Sequence, residues 1–251
     1  VLNASDPTMQ NNVISRNVAA QLGGGILVQA GSTPTMLNNT INGNRAVSGA
    51  GIAWFNSGGL WTGNQVGANV ASGSGGGMMI SASNPQVLDG QIFNNVATNF
   101  GGGILIQANS QPLIANHEIR FNRAGSHGGG IQVSSSQGVI RNNTIMNNAG
   151  EGIDIVASQS VNLTENIITA NTAGVRADQE SRVTLVRNNV WNNNGADYRN
   201  IAPGSSDLSL DPLFVVGPFG CCYSSQRTAG QGRTSPLVDA GTRTAASLGL
   251  D

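Results

Sequence analysis

Four ionisable residues fall in two short stretches of this 251-residue chain. Glu151 and Asp154 lie in Glu151-Gly152-Ile153-Asp154-Ile155-Val156, and Arg176 and Asp178 lie in Val175-Arg176-Ala177-Asp178. Two carboxyls about 5 to 9.5 Å apart are what glycoside hydrolysis needs, one as acid and one as base or nucleophile. A carboxylate beside an arginine suits another reaction. There the guanidinium holds a substrate carboxylate bidentately while a base removes the neighbouring C–H proton. Glu151, Asp154, Arg176 and Asp178 are therefore the candidate catalytic set. The competing reading is a cross-strand ion pair at a surface, which contributes little to stability. His127, just before Gly128, can join such a site or simply sit in a loop.

These residues are positioned by a repeat. The apolar residue that follows a glycine-rich step recurs at Ile26, Ile52, Met78, Ile104, Ile131, Ile153 and Val175, at spacings of 26, 26, 26, 27, 22 and 22. An Asn precedes each step, at Asn17, Asn44, Asn69, Asn95, Asn122, Asn148 and Asn171, and again at Asn194. A period in this range marks a solenoid whose units stack only on their neighbours. Each unit holds three short, β-branched-rich apolar runs bounded by Asn and Gly, with no sustained helical period, so the runs read as strands. Three strands per unit with no returning helix describe an all-β parallel β-helix of about eight coils over residues 1–200. A loop-rich stretch, residues 201–251, follows and is placed to cap its end.

The asparagines predict ladders, since stacked corners lie ~4.8 Å apart and an Asn amide can both donate and accept along the stack. A second column reads Asn12, Asn39, Asn64, Gly90, His117, Asn143, Asn166, Asn189, in which His117 is read as a corner residue. Strand alternation then assigns faces. Ile26, Ile52, Met78, Ile104, Ile131 and Ile153 point inward, as do Trp61 and Trp191. Leu27, Phe55, Met79, Leu105 and Gln107 point outward and form the candidate binding face. An apolar patch on an outer surface usually marks something that lies over it: a loop, the C-terminal tail, a partner subunit or a ligand.

Composition excludes several classes. Charged residues are 10% of the chain and the formal net charge is −1, with every basic residue an Arg, so no nucleic-acid footprint is present. No stretch reaches the ~18 apolar residues of a spanning helix. No metal-ligand spacing is found, and no motif calls for calcium or another cofactor. Cys221 and Cys222 are adjacent and leave a vicinal disulfide, two free thiols or an interchain bond open. Val1-Leu2-Asn3-Ala4-Ser5-Asp6-Pro7 aligns with Val28-Gln29-Ala30-Gly31-Ser32-Thr33-Pro34, so the chain opens in mid-unit, as expected of a piece of a longer protein.

The Asn- and Gly-Gly-Gly-Ile-containing units resemble the right-handed parallel β-helix repeats of the pectate-lyase-like superfamily. The tail, with Asp211-Pro212-Leu213-Phe214, Ser225-Gln226, Ala229-Gly230-Gln231-Gly232 and Ser235-Pro236-Leu237-Val238-Asp239-Ala240-Gly241, is similar to the end of secreted bacterial members. The resemblance implies a right-handed coil and a secreted or cell-surface location in a bacterium. It implies one of two roles: a structural, adhesive or assembly module, or a carbohydrate-active enzyme (lyase, epimerase or hydrolase) on an acidic polysaccharide. The expected partner is a polysaccharide or another protein subunit. Two family features are missing: the lysine base of many lyases, and the clustered calcium-binding Asp residues.

Overall fold

In the computed structural model, which describes residues 1–217, 220–238 and 240, the chain winds as a right-handed parallel β-solenoid of about eight turns. One face is a nine-stranded sheet in chain order, running through Leu2–Asn3, Ile26–Gln29, Ile52–Phe55, Met78–Ser81, Ile104–Gln107, Ile131–Ser134, Glu151–Val156, Ala173–Ala177 and Tyr198–Arg199. Every pairing between neighbours is parallel, and the register repeats the sequence alignment: Ile104 pairs with Ile131, and Ile131 with Ile153. The other two faces belong to a fourteen-stranded sheet. They merge where Gln86–Phe93 and Leu113–Arg120 continue as single strands round a corner that interrupts the strand in other turns. A small four-stranded sheet, Arg45–Ala46, Val70–Ala71, Val96–Ala97 and Arg123–Ala124, lies in the longer turns alone.

The core is the stack of inward positions. Val28, Trp54, Ile80, Ile106, Val133 and Ile155 lie one above another, as do Met36, Trp61, Val87, Ile114 and Ile140. Trp191, expected inside, points outward and is half-buried. The inward member of its strand is Val190, because strand period places neighbours on opposite faces.

Two asparagine ladders hold the corners. The first joins Asn12, Asn39 and Asn64, breaks at Gly90, and resumes from His117 through Asn143 and Asn166 to Asn188. The second runs unbroken from Asn17 to Asn193. The last members are thus Asn188 and Asn193, each one residue before the positions expected from sequence. Asn189 instead binds the Leu210 backbone. Where an Asn follows an Asn within a ladder, its side-chain oxygen accepts both the backbone N–H and the amide of the one before it, and its amide also donates to a backbone carbonyl, as at Asn122. The left-handed backbone falls on the residue just before each rung, as at Asn94 (φ 55°), Phe121 (φ 55°) and Asn147 (φ 54°).

Both ladders end on carboxylates. Asp197 accepts from Asn193, and Asp207 accepts from Asn188 while also binding the Tyr198 hydroxyl and the Gly204 N–H. A third corner carries serines, not recognised as a column from sequence. The hydroxyls of Ser83, Ser110, Ser136, Ser158 and Ser181 each accept the N–H of the serine one turn before.

The ladder ends are closed by residues 195–210, and the chain beyond returns along the flank. The antiparallel pair Phe214–Gly217 and Gly220–Ser224 brings Cys222 Sγ to 3.3 Å from Glu118 Oε1 and 3.2 Å from Met146 Sδ, and Arg187 donates to the Ala240 carbonyl. Cys222 is disulfide-bonded, so it is not a free thiol. The Cys221 side chain lies outside the described residues, as do Asp239 and positions 241–251 of the expected cap.

The glycine step has a steric cause. Gly101 has φ +61°, and a Cβ there would stand 2.7 Å from the Ile104 carbonyl oxygen and 2.8 Å from Leu105 Cβ. Gly101→Ala should therefore cost about 2–4 kcal/mol, from left-handed strain plus overpacking, read as a fall in the urea midpoint at unchanged slope. A shift under about 0.5 kcal/mol would show that the loop gives way freely.

Candidate functional site

The candidate residues sit where the coil changes length. The turns before Glu151 carry an extra loop that stands as a wall beside the nine-stranded sheet, with Phe100 and His127 paired on successive loops. After Glu151 the loop is gone and the sheet opens. The result is a groove of about 410 Å³ lined by Leu105, Gln107, Gln132, Ser134, Val156 and Arg176 along its floor, and by Ser74, Phe100 and His127 on the wall.

Ile153 and Ile155 face the core, so Asp154 must face out, yet it is fully buried beneath its neighbours. It pairs in register with Gln132 on one side and Arg176 on the other. Gln132 Nε2 donates to Oδ2 at 2.9 Å, and Arg176 Nη1 donates to Oδ1 at 2.6 Å. Burial raises the Asp154 carboxyl above its ordinary range, and the nearby Glu151 charge adds to this. The bonds from Gln132 and Arg176 offset only part of the rise.

Glu151 lies at the base of the wall. Its Oε2 accepts the Gly128 N–H at 3.0 Å, and Oε1 faces His127 Nδ1 at 3.1 Å. Burial works to raise its pKa, but the bonds from Gly128, its own backbone and His127 together outweigh that and hold it below the usual range. Asp178 is apart from this group. It accepts the Ala157 N–H at 2.7 Å and the Ser181 hydroxyl at 2.6 Å, and so pins a turn. Desolvation works to raise its pKa, but its hydrogen bonds from Ser181, Ala157 and the backbone together outweigh that and hold it below the ordinary value.

Of the four candidates the fold therefore brings Asp154 and Arg176 into contact, sets Glu151 beside them with His127, and places Asp178 elsewhere. Gln132 is the partner that sequence reasoning left out of the site. It was visible in the same outward column as Asp154, one unit earlier, but an uncharged side chain drew no attention. Phe100 carried no such signal, because the wall it stands on lies outside the strand alternation.

Of the candidate binding face, Leu105 and Gln107 line the groove, and Phe55 is exposed farther along. Leu27 is half-buried. Met79 and Leu105 are 4% and 3% exposed and pack with Ala53 under the chain's own glycine loops. The expected open apolar patch is thus largely roofed by the loop that precedes each strand. Gln107 is half-buried and reaches toward Ser81.

Among the described residues no group of His, Cys, Asp and Glu could hold a metal ion, and no helix is long and apolar enough to cross a membrane. No curated protein and no solved structure matches the chain significantly. Residues 1–71 and 62–205 match the model of the right handed beta helix region, whose repeat is the one that winds this solenoid: the chain belongs to that family.

Proposed function

We propose that this chain is an extracellular or cell-surface β-helix module with a structural or adhesive role, and that its groove holds a polysaccharide chain without cleaving it. One observation carries the reading. Each carboxylate of the candidate centre already accepts protein donors: Asp154 from Gln132 and Arg176, Glu151 from Gly128 and His127, Asp178 from Ala157 and Ser181. A base or nucleophile must be presented to substrate, whereas Asp154 and Glu151 are buried and all three carboxylates are held by the chain's own donors. The groove floor instead offers amides, hydroxyls and one arginine, with an aromatic edge at Phe100, a lining suited to sugar hydroxyls. The disulfide at Cys222 supports an oxidising, exterior compartment.

A second reading, a lyase, epimerase or hydrolase acting on an acidic polysaccharide, draws support from the raised Asp154 carboxyl just beneath Gln132 and Arg176 of the groove floor, a shift in the direction that a general acid requires. One experiment separates the two. The chain is incubated with immobilised pectate, alginate and glycosaminoglycans, and retention is measured together with unsaturated products and reducing ends. Retention without products is expected, weakened roughly tenfold by Arg176→Ala and by Phe100→Ala. Products that disappear in Asp154→Asn would establish the enzyme instead. No retention on any polymer would sink both readings for these ligands.

A further inference from the structure

Every rung of the two ladders is an asparagine except at one place. In the first ladder, Gly90 and His117 occupy successive slots and stand in register with each other. Gly90 has no side chain to offer, and a Cβ there would collide with the Asn64 backbone oxygen. The chain of side-chain bonds is therefore cut. Asn64 turns its amide back to the Met36 and Thr62 carbonyls, and His117 begins the ladder again by donating its backbone N–H to Asn143 Oδ1 at 2.9 Å.

The imidazole is 2% exposed. Its Nδ1 stands 2.7 Å from the Ala115 carbonyl and so carries the proton, while Nε2 is buried with no partner. That arrangement suits only the neutral ring. A second proton would place an N–H with no acceptor, and a charge, inside a dry corner.

We propose that His117 is an acid-sensitive hinge of the solenoid, at which protonation of the imidazole opens the corner between the turns carrying Gly90 and His117 while the other turns stay closed. The charged groups on the elements packed around it are few. Asp89 is exposed on the preceding turn and is held by Asn116 and Thr62. Glu118 and Arg120 on its own strand project outward and pair with each other, and Arg141 on the next turn also projects outward. None is bonded to Nε2.

Burial holds the ring's pKa down to about 4 from 6.5, with the Ala115 carbonyl and the Asp89 charge pulling weakly upward. The sign follows. The closed form binds the proton less readily than the open form, so closure is fully favoured above pH 6.5 and is lost as pH falls towards 4. Across that window the opening equilibrium rises by two to three orders of magnitude.

The chain has two histidines, so the His117 ring can be followed by NMR, alongside amide exchange corrected for intrinsic rate. Protection of 86–93 and 113–120 should fall about a hundredfold or more on acidification, while that of 151–156 holds. His117→Asn, which refills the slot with a ladder residue, should abolish the difference, and His117→Gln supplies a second neutral ring-free variant if the first folds poorly. Titration of His117 at its ordinary value in the folded chain, a loss spread evenly over all turns, or the same acid response in both variants would overturn the hinge.

Discussion

Asn122→Ala should destabilise the solenoid by about 3 kcal/mol, although it deletes only a small neutral side chain. Asn122 is fully buried in the middle of the unbroken ladder. Its oxygen accepts the Asn95 backbone N–H and amide, both at 3.0 Å, and its amide donates to the Ile92 carbonyl at 2.8 Å and to Asn148 Oδ1 at 3.1 Å. Alanine leaves the Asn95 N–H with no acceptor and strips one bond from each of the other partners. An orphaned buried polar group costs about 1–3 kcal/mol, more than the bond itself contributed. The same substitution at Asn17, exposed on the first turn, should cost below about 1 kcal/mol, because water replaces what the side chain gave. Paired urea unfolding of the two variants tests this. Equal shifts would mean that the ladder stabilises through backbone conformation and not through its buried hydrogen bonds.

Arg176→Ala should be about as damaging at neutral pH, roughly 3–5 kcal/mol, because it strands the fully buried Asp154 carboxylate with Gln132 as its remaining donor. The pH dependence gives the stronger signature. The Asp154 carboxyl already lies above 3.8 with the guanidinium in place, and without it must rise further. A folded-state pKa above the unfolded one means that the folded chain holds the proton longer. Its penalty is absent below the unfolded pKa and grows as pH rises towards the folded one. The variant should therefore recover on mild acidification relative to the parent chain. Asp154→Asn added to Arg176→Ala should restore most of the loss at neutral pH. If Arg176→Ala unfolds at the parent midpoint across this range, the pair is a surface contact of little weight.

The architecture was legible because its causes repeat. A spacing of 22 to 27 residues, an Asn at each corner and an apolar residue after each glycine step are the same physical requirement written many times, so noise in one unit is corrected by the next. That is why strand faces and registers such as Asp154 beside Arg176 follow from sequence. The end of the pattern was less legible: Asn193-Asn194 and Asn188-Asn189 offer adjacent asparagines, and only the bonds to Asp197 and Asp207 decide which one is the rung. Depth was harder still. Alternation places Met79, Leu105 and Asp154 outward but cannot tell that a loop from the same turn lies over the first two, or that Gln132 and Arg176 close over the third. Asp178 looked like a neighbour of Arg176 in the strand, yet the strand stops at Ala177 and the turn after it takes the side chain elsewhere.

The rungs of both ladders join residues 22 to 27 apart, wherever along the chain they fall. The loop closed to form one more turn is thus the same size for the first turn as for the last, and the entropy of closing it does not grow with length. Relative contact order falls as turns are added. A chain built this way can be lengthened or shortened by whole turns over evolutionary time without slowing its search for the native pairing. Its length is then free to answer to the reach of what it must span.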